Sequence, residues 1–276
     1  MTDPVDQAPG SGHPTDEPSG SELAGGGTTV VIRIGDTVRR PVRSWSASVH
    51  ILLDRLRTAG FTGAPRFLGF DGKGRETLDH LDGHVGNYPL SDEVRSEHAL
   101  SSAGRLLRAY HDATTGLAAE DLPGWQFAAL DPVEVICHGD FAPHNCVFTG
   151  ETATGIIDFD GARPGPRTWD LAYALYRFAP LTHPANTDGF GKAEEQARRA
   201  RLFLDAYGCT RTQRIAAMDT VAVRLQSLVA FMRRSAADGD ENFARHLADG
   251  HAGLYLRDID HIKTHTATWQ RYIADH

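Results

Sequence analysis

The sequence predicts an α+β fold in two lobes, a small β-rich N-terminal lobe followed by a larger, mainly helical C-terminal one. Three observations predict it. Short β-branched and apolar runs, punctuated by glycine pairs, crowd positions 28–79 with one amphipathic helix among them. From Ser91 onward the apolar spacing changes to the i, i+3, i+4 pattern of helices. Early in that second region, "ICHGDFAPHNCVFTGETATGIIDFDG" sets His138, Asp140, His144, Asn145, Asp158 and Asp160 at the ends of short apolar runs. Carboxylates at strand ends are how a site is carried on a fold.

The elements follow in order. Residues 1–22 are too polar and too rich in Pro and Gly to offset their ordering entropy by burial, and are predicted to be a disordered tail. Gly25, Gly26 and Gly27 then lead into a β-branched run from Thr28 to Ile34. A Gly35-Asp36 turn and a second strand around Thr37 to Arg40 complete a β-hairpin preceded by a glycine-rich loop. Val49, Leu52, Leu53 and Leu56 share a helical face, with Gly60 as the stop signal. "APRFLGFDGKGRETLDHLDG" reads as two more strands about the Asp71-Gly72 and Lys73-Gly74 turn. These elements define an N-lobe over residues 23–83 and leave residues 84–276 to the C-lobe. There Leu100, Ala103, Leu107 and Tyr110 mark one helix, and "TWDLAYALYRFAPL" is apolar enough for a buried one. Lys192 to Tyr207, Thr212 to Ser235 and the last 30 residues are helix-periodic as well. No internal repeat is present.

Composition narrows the function classes. With 41% hydrophobic and 23% charged residues, the 276-residue chain is an ordinary globular one. A net charge of −8 and the lack of a basic stripe exclude a nucleic-acid partner held by phosphate neutralisation. No apolar run reaches the roughly 18 residues of a membrane span, and residues 1–27 lack the pattern of a secretory signal. Cys137, Cys146 and Cys209, an odd count, point to reduced thiols and a cytoplasmic location.

The motif at 136–161 admits three chemistries. Its Cys and His spacing is neither C-x₂-C nor H-x₃-H, which argues against structural zinc. No G-x-S-x-G elbow supports a serine hydrolase. The third chemistry fits throughout: "HGDFAPHN" followed by "IDFD" has the layout H-x-D-x₄-N … D of a phosphoryl-transfer site. Such a site needs a carboxylate to orient and deprotonate the attacking hydroxyl, which suits Asp140. It also needs hard oxygen donors for Mg²⁺, which suits Asn145 and Asp158. Asp160, two residues on, is a helper to Asp158 rather than a named ligand, and His144 reads as a loop residue at the cleft wall.

"CHGDFAPHNCVF" and "GIIDFDGARPGPRTWDLAYAL" together resemble the two signatures of the aminoglycoside phosphotransferase family, small-molecule kinases of protein-kinase-like fold. Gly139 stands where protein kinases carry Arg. The resemblance runs from about Leu23 to Phe178. It implies ATP and Mg²⁺ as cofactors, Asp140 as catalytic base, Asn145 and Asp158 as metal ligands, and Asp170 as a brace of the catalytic loop. It further implies that Gly25, Gly26 and Gly27 approach the phosphates and that Arg39 binds them, with Arg40 as the other choice. The backbone of Asp79, His80 and Leu81 would serve as the hinge to the adenine. One expected part is missing: no Glu lies between Val42 and Gly60, and His50 sits near its place. The implied partner is a small molecule bearing a hydroxyl. Asp238, Asp240, Glu241, Asp258 and Asp260 are either the carboxylates of a cationic acceptor site or, as charge runs usually are, a solvated face. The alternative function is a nucleotide-binding protein of this fold that confers immunity by binding rather than by transfer.

Overall fold

The computed structural model describes residues 20–22, 30–119, 122 and 124–274. Five antiparallel strands open the chain: β1 (Ser21–Glu22), β2 (Ile32–Ile34), β3 (Thr37–Arg40), β4 (Phe67–Phe70) and β5 (Glu76–Asp79), in the order β1-β2-β3-β5-β4. The predicted tail thus overshoots. Ser21 and Glu22 pair with Arg33 and Ile32, because Ile32 and Ile34 give β1 an edge to add to. Gly25, Gly26 and Gly27 lie outside the described residues, on the stretch of chain joining β1 to β2. Between β3 and β4 runs α1 (Ser46–Thr58), whose Val49, Leu52, Leu53 and Leu56 are all buried and which gives way at Gly60, a left-handed position.

The helical part begins after β6 (His84–Val85). The periodic stretch from Ser91 is two helices rather than one, α2 (Asp92–Arg95) and α3 (Glu97–Thr114). Ser96 adopts an extended conformation between them and its hydroxyl caps α3 at the Ala99 N–H. Two small sheets follow. In one, β7 (Val135–Cys137) pairs with β10 (Arg163–Gly165); in the other, β6, β8 (Cys146–Thr149) and β9 (Thr152–Ile156) pair in that order. All of β7 and three of the four residues of β8 are buried, which is why their sequences are unbroken apolar runs.

The remainder is helical: α4 (Arg167–Phe178), α5 (Ala193–Tyr207), α6 (Arg211–Ala237), α7 (Glu241–Ala248) and α8 (His251–Ala274). Every residue of α4 from Trp169 to Phe178 is buried, and the helix packs against α5 and α6. α6 is long and apolar enough to cross a membrane by length and composition, yet it packs along α4 and α8, with Val221, Leu225 and Val229 in the interior. Cys137, Cys146 and Cys209 are free and buried, and burial pushes each thiol above its usual range.

Candidate active site

The loop between β7 and β8 carries the site. β7 ends at Cys137, and the next backbone amides, of His138 and Gly139, both donate to the carboxylate of Asp170 at 2.6 and 2.8 Å. Asp170 projects from the first turn of α4 and is wholly buried. Its third donor is Nε2 of His111 at 3.0 Å, whose Nδ1 meets the Tyr207 hydroxyl at 2.8 Å. Burial opposes ionisation of Asp170, but the His111 hydrogen bond and nearby charges outweigh it, and the pKa lies below the usual carboxylate range. Gly139 explains its own identity. Its φ is +83°, and a Cβ there would stand 2.1 Å from the Gly161 carbonyl oxygen, so no side chain fits.

His138 is fully buried, with Nε2 donating to the Ile157 carbonyl at 3.0 Å and Nδ1 accepting the Asp140 N–H at 3.2 Å. The ring thereby ties the loop to the chain just before Asp158. Asp140 follows with a side chain 39% exposed to the cleft. Asn145 Nδ2 donates both to its carbonyl, at 2.9 Å, and to its Oδ2, at 2.7 Å. His144 Nε2 stands 3.5 Å from the same carboxylate. Burial raises the pKa of Asp140, while His144 and the charge of Arg224 lower it more, leaving it at about 2. A carboxylate in that state is an acceptor at neutral pH and holds a hydroxyl by its proton.

Asp158 comes next along the chain and is, among the described residues, the non-glycine residue with a left-handed backbone, at φ 62°, ψ 70°. That kink starts a short 3-10 turn and brings Asp160 beside it. Desolvation in the cleft and then the charge of Asp160 push the Asp158 pKa up, against a nearby arginine that lowers it.

Across the cleft the structure corrects the choice between the two arginines of β3. Neighbours on a strand face opposite ways. Arg39 turns to Asp71 at the β4–β5 turn, 3.8 Å away, whereas Arg40 faces the aspartates, 2.8 Å from Asp160 and 3.6 Å from Asp158. Arg40 also binds Glu76, its cross-strand partner on β5. Glu76 is fully buried, and its other oxygen lies 2.6 Å from Nε2 of His50 on α1. The carboxylate missing from α1 is therefore supplied by β5, and α1 contributes a histidine stacked on Phe67 at 3.5 Å. Sequence reasoning missed Glu76; the signal was an acidic residue opening a buried strand, in register with Arg40.

At the hinge the Asp79 and His80 N–H groups are engaged, with the carbonyls of Arg66 and Asp36 at 3.1 and 2.9 Å. Asp79 also spends its carboxylate on the Arg66 backbone and guanidinium. Of the three expected hinge amides, Leu81 N–H is the one with no acceptor among the described residues. Of the acidic residues of the C-terminal helices, Asp258 and Asp240 are committed elsewhere. Asp258 is buried and accepts from Tyr176, His183 and Asn186, and Asp240 caps α7. Asp238 and Glu241 flank the α6–α7 turn.

Known proteins resemble this chain in sequence and in fold. The model of the phosphotransferase enzyme family (APH) matches residues 117–207, the stretch that holds Asp140, Asn145, Asp158 and Asp170. A trifolitoxin immunity protein of Rhizobium leguminosarum bv. trifolii is 36% identical over 203 residues, 70% of this chain and 75% of that protein. Among solved structures, a choline/ethanolamine kinase family protein from Mesorhizobium loti superposes with a TM-score of 0.61 at 17% identity, over 93% of this chain and 92% of that one. An amicoumacin kinase in complex with AMP-PNP and Ca²⁺ does so with a TM-score of 0.62 at 11% identity, over 87% and 88%. The two-lobed α+β architecture is that of these kinases, and the chain belongs to the aminoglycoside phosphotransferase family.

Proposed function

We propose that the protein is a cytoplasmic small-molecule kinase that uses Mg-ATP to phosphorylate a hydroxyl of its acceptor. One observation carries the proposal: Asp140, Asn145 and Asp158 converge at one cleft, with Arg40 facing them from β3. Asp140 accepts the acceptor hydroxyl's hydrogen bond and takes its proton as the oxygen bonds to the γ-phosphorus and the bond to ADP breaks. Arg40 binds phosphate oxygens with its planar guanidinium. Leu81 N–H meets the adenine edge. The donor set fits a hard cation: Asn145 Oδ1 and the Asp158 carboxylate, with Asp160 adjacent, are all oxygens. Among the described residues no three His, Cys, Asp or Glu side chains gather so that they could hold a metal ion by themselves. Bound there, the metal would neutralise charge on the phosphates.

The immunity protein among the relatives supports a second reading, protection from a toxic compound by sequestration alone. Asp140→Asn separates the two. The substitution keeps the Asn145 contact and the shape of the loop but removes the base. Transfer, followed as ADP release, falls about 10²–10⁴-fold while Mg-ATP still raises the melting temperature. Protection that survives this variant in cells would favour sequestration. Absence of any Mg-ATP stabilisation of the wild type would overturn the kinase.

A further inference from the structure

Beside the catalytic base lies a group of cations that the kinase reading does not use. Arg224, on α6, is 7% exposed, and its Nη2 donates to the Gly139 carbonyl at 2.5 Å, one residue from Asp140. Its guanidinium lies over the rings of Tyr173 and Trp169, at 4.4 and 5.1 Å. Arg163, on β10, lies over the same Trp169 ring at 4.9 Å and donates a long hydrogen bond to the Ala128 carbonyl. Neither arginine has a carboxylate partner among the described residues. Three donors around that ring are buried without an acceptor: Nε of Arg224, Nε of Arg163 and Nε1 of Trp169.

Two guanidiniums over one indole repel each other, and little water reaches buried Arg224 to screen them, while Arg163 is partly exposed. Burial and the charge of Arg224 together push the Arg163 pKa below its usual value. A buried cation without a counter-ion is costly, and proteins ordinarily pair or hydrate it. Here the cost is borne next to the group that receives the acceptor. An apolar wall completes the place. Phe127 lies under Arg163 at 5.1 Å and meets Phe231 at 5.1 Å, and Phe231 follows Arg224 by two helical turns on one face of α6. The carboxylates that a cationic acceptor would need from the C-terminal helices are, for Asp258 and Asp240, engaged in holding those helices.

Resting on the phosphotransferase reading, we propose that the acceptor carries an anionic group, a carboxylate or a phosphate, which Arg224 and Arg163 bind over Trp169 while its hydroxyl reaches Asp140. Arginine suits either anion, because its fork donates two parallel hydrogen bonds. The acceptor class is thus a hydroxylated anion with an apolar portion, not a polycation.

The test uses four matched probes: 4-(hydroxymethyl)benzoate, 4-(hydroxymethyl)phenyl phosphate, 4-(hydroxymethyl)benzamide and 4-(hydroxymethyl)benzylamine. Binding to the full chain is measured by calorimetry, with the Mg-ATP thermal shift recorded on each protein. At least one anion is expected to bind about ten-fold or more tighter than the amide, and the amine weakest. Which anion wins distinguishes a carboxylate acceptor from a phosphorylated one. Arg163→Met and Arg224→Met should each bring that anion down to the affinity of the amide. Arg163, the less buried of the two, keeps the test open where Arg224→Met loosens the Gly139 loop. No binding of either anion, equal binding of the amide, or an anion preference that survives Arg163→Met overturns the proposal. An intact Mg-ATP shift with no anion preference overturns this inference alone. Loss of the Mg-ATP shift in the wild type overturns the kinase reading, and the charge preference is then judged on the binding data.

Discussion

Glu76→Gln tests whether β5 supplies the counter-ion of Arg40, the arginine proposed to bind phosphate. Glu76 has no solvent exposure and accepts from Arg40 and from His50, the latter at 2.6 Å. Burial pushes its pKa up, but the His50 hydrogen bond and the Arg40 charge push it further down, so the carboxylate is ionised in the native state. Hydrogen bonds to charged groups contribute about 1.5–3 kcal/mol each, and stripping a partner from a buried pair costs about 3–5 kcal/mol. Gln keeps the shape and one acceptor, and Arg40 retains Asp160 at 2.8 Å, so the loss is expected at the lower end, about 3 kcal/mol. At roughly 2–4 °C per kcal/mol for a chain of this size, melting falls by about 6–12 °C. Released from Glu76, the guanidinium turns wholly to Asp160 and Asp158, where it competes with the cation, and Mg-ATP affinity drops about ten-fold. Differential scanning calorimetry with and without Mg-ATP reads both effects. A variant that melts within about 1 °C of the wild type and binds Mg-ATP equally would refute the reasoning.

Three further outcomes are expected. Asp170→Asn removes the charge that gathers the His138 and Gly139 amides and His111, and costs about 3–5 kcal/mol, read as a shifted urea midpoint; a shift below about 1 kcal/mol would remove Asp170 as the brace. Asp158→Asn relieves repulsion from Asp160 and tolerates the left-handed backbone, so the free protein melts no lower while the Mg²⁺-dependent part of the ATP shift disappears; retention of that part would take Asp158 out of the metal site. With pH, stability falls in two stages on acidification. His111, lowered chiefly by burial, and His261, lowered to about 4 by burial and neighbouring histidines, bind fewer protons folded than unfolded, so their contribution is complete above the unfolded value of about 6.5 and is lost below it. Glu76, Asp170 and Asp140, the last at about 2, are likewise depressed, and their contribution is lost from about pH 4 downward. A melting temperature that rises between pH 6.5 and 5 would contradict the first stage.

Legibility tracked how local each signal was. The helix of Val49, Leu52, Leu53 and Leu56 and the strands at Ile136 and Cys146 were readable because one segment's periodicity and composition decide burial, while the run at Ile156 marks only the end of β9. The H-x-D-x₄-N spacing was readable because Asp140 and Asn145 sit on one loop whose geometry is set within it. The break at Ser96 was not, since its hydroxyl cap looks like any serine until the backbone turns. The choice of Arg40 over Arg39 needed the strand's facing, which depends on where β5 lies. Glu76, Arg163 and Arg224 needed contacts across 36, 35 and 85 positions of chain, beyond any periodicity.

The departures from the kinase template share a physical cause. Where protein kinases place Arg between the loop's His and Asp, this chain has Gly139, and the Gly161 carbonyl occupies the space a side chain would take. The guanidinium that meets this backbone comes instead from α6, as Arg224. Where the template pairs a β3 Lys with a Glu of the following helix, Arg40 pairs with Glu76 of β5 and the helix gives His50. In both places a charge survives while the element that supplies it changes. Electrostatics constrains where a charge stands to within a few ångströms and is indifferent to which element carries it. On the proposed reading, a site assembled this way would keep the charges that phosphoryl transfer needs, with Arg224 and Arg163 as further charges near Asp140.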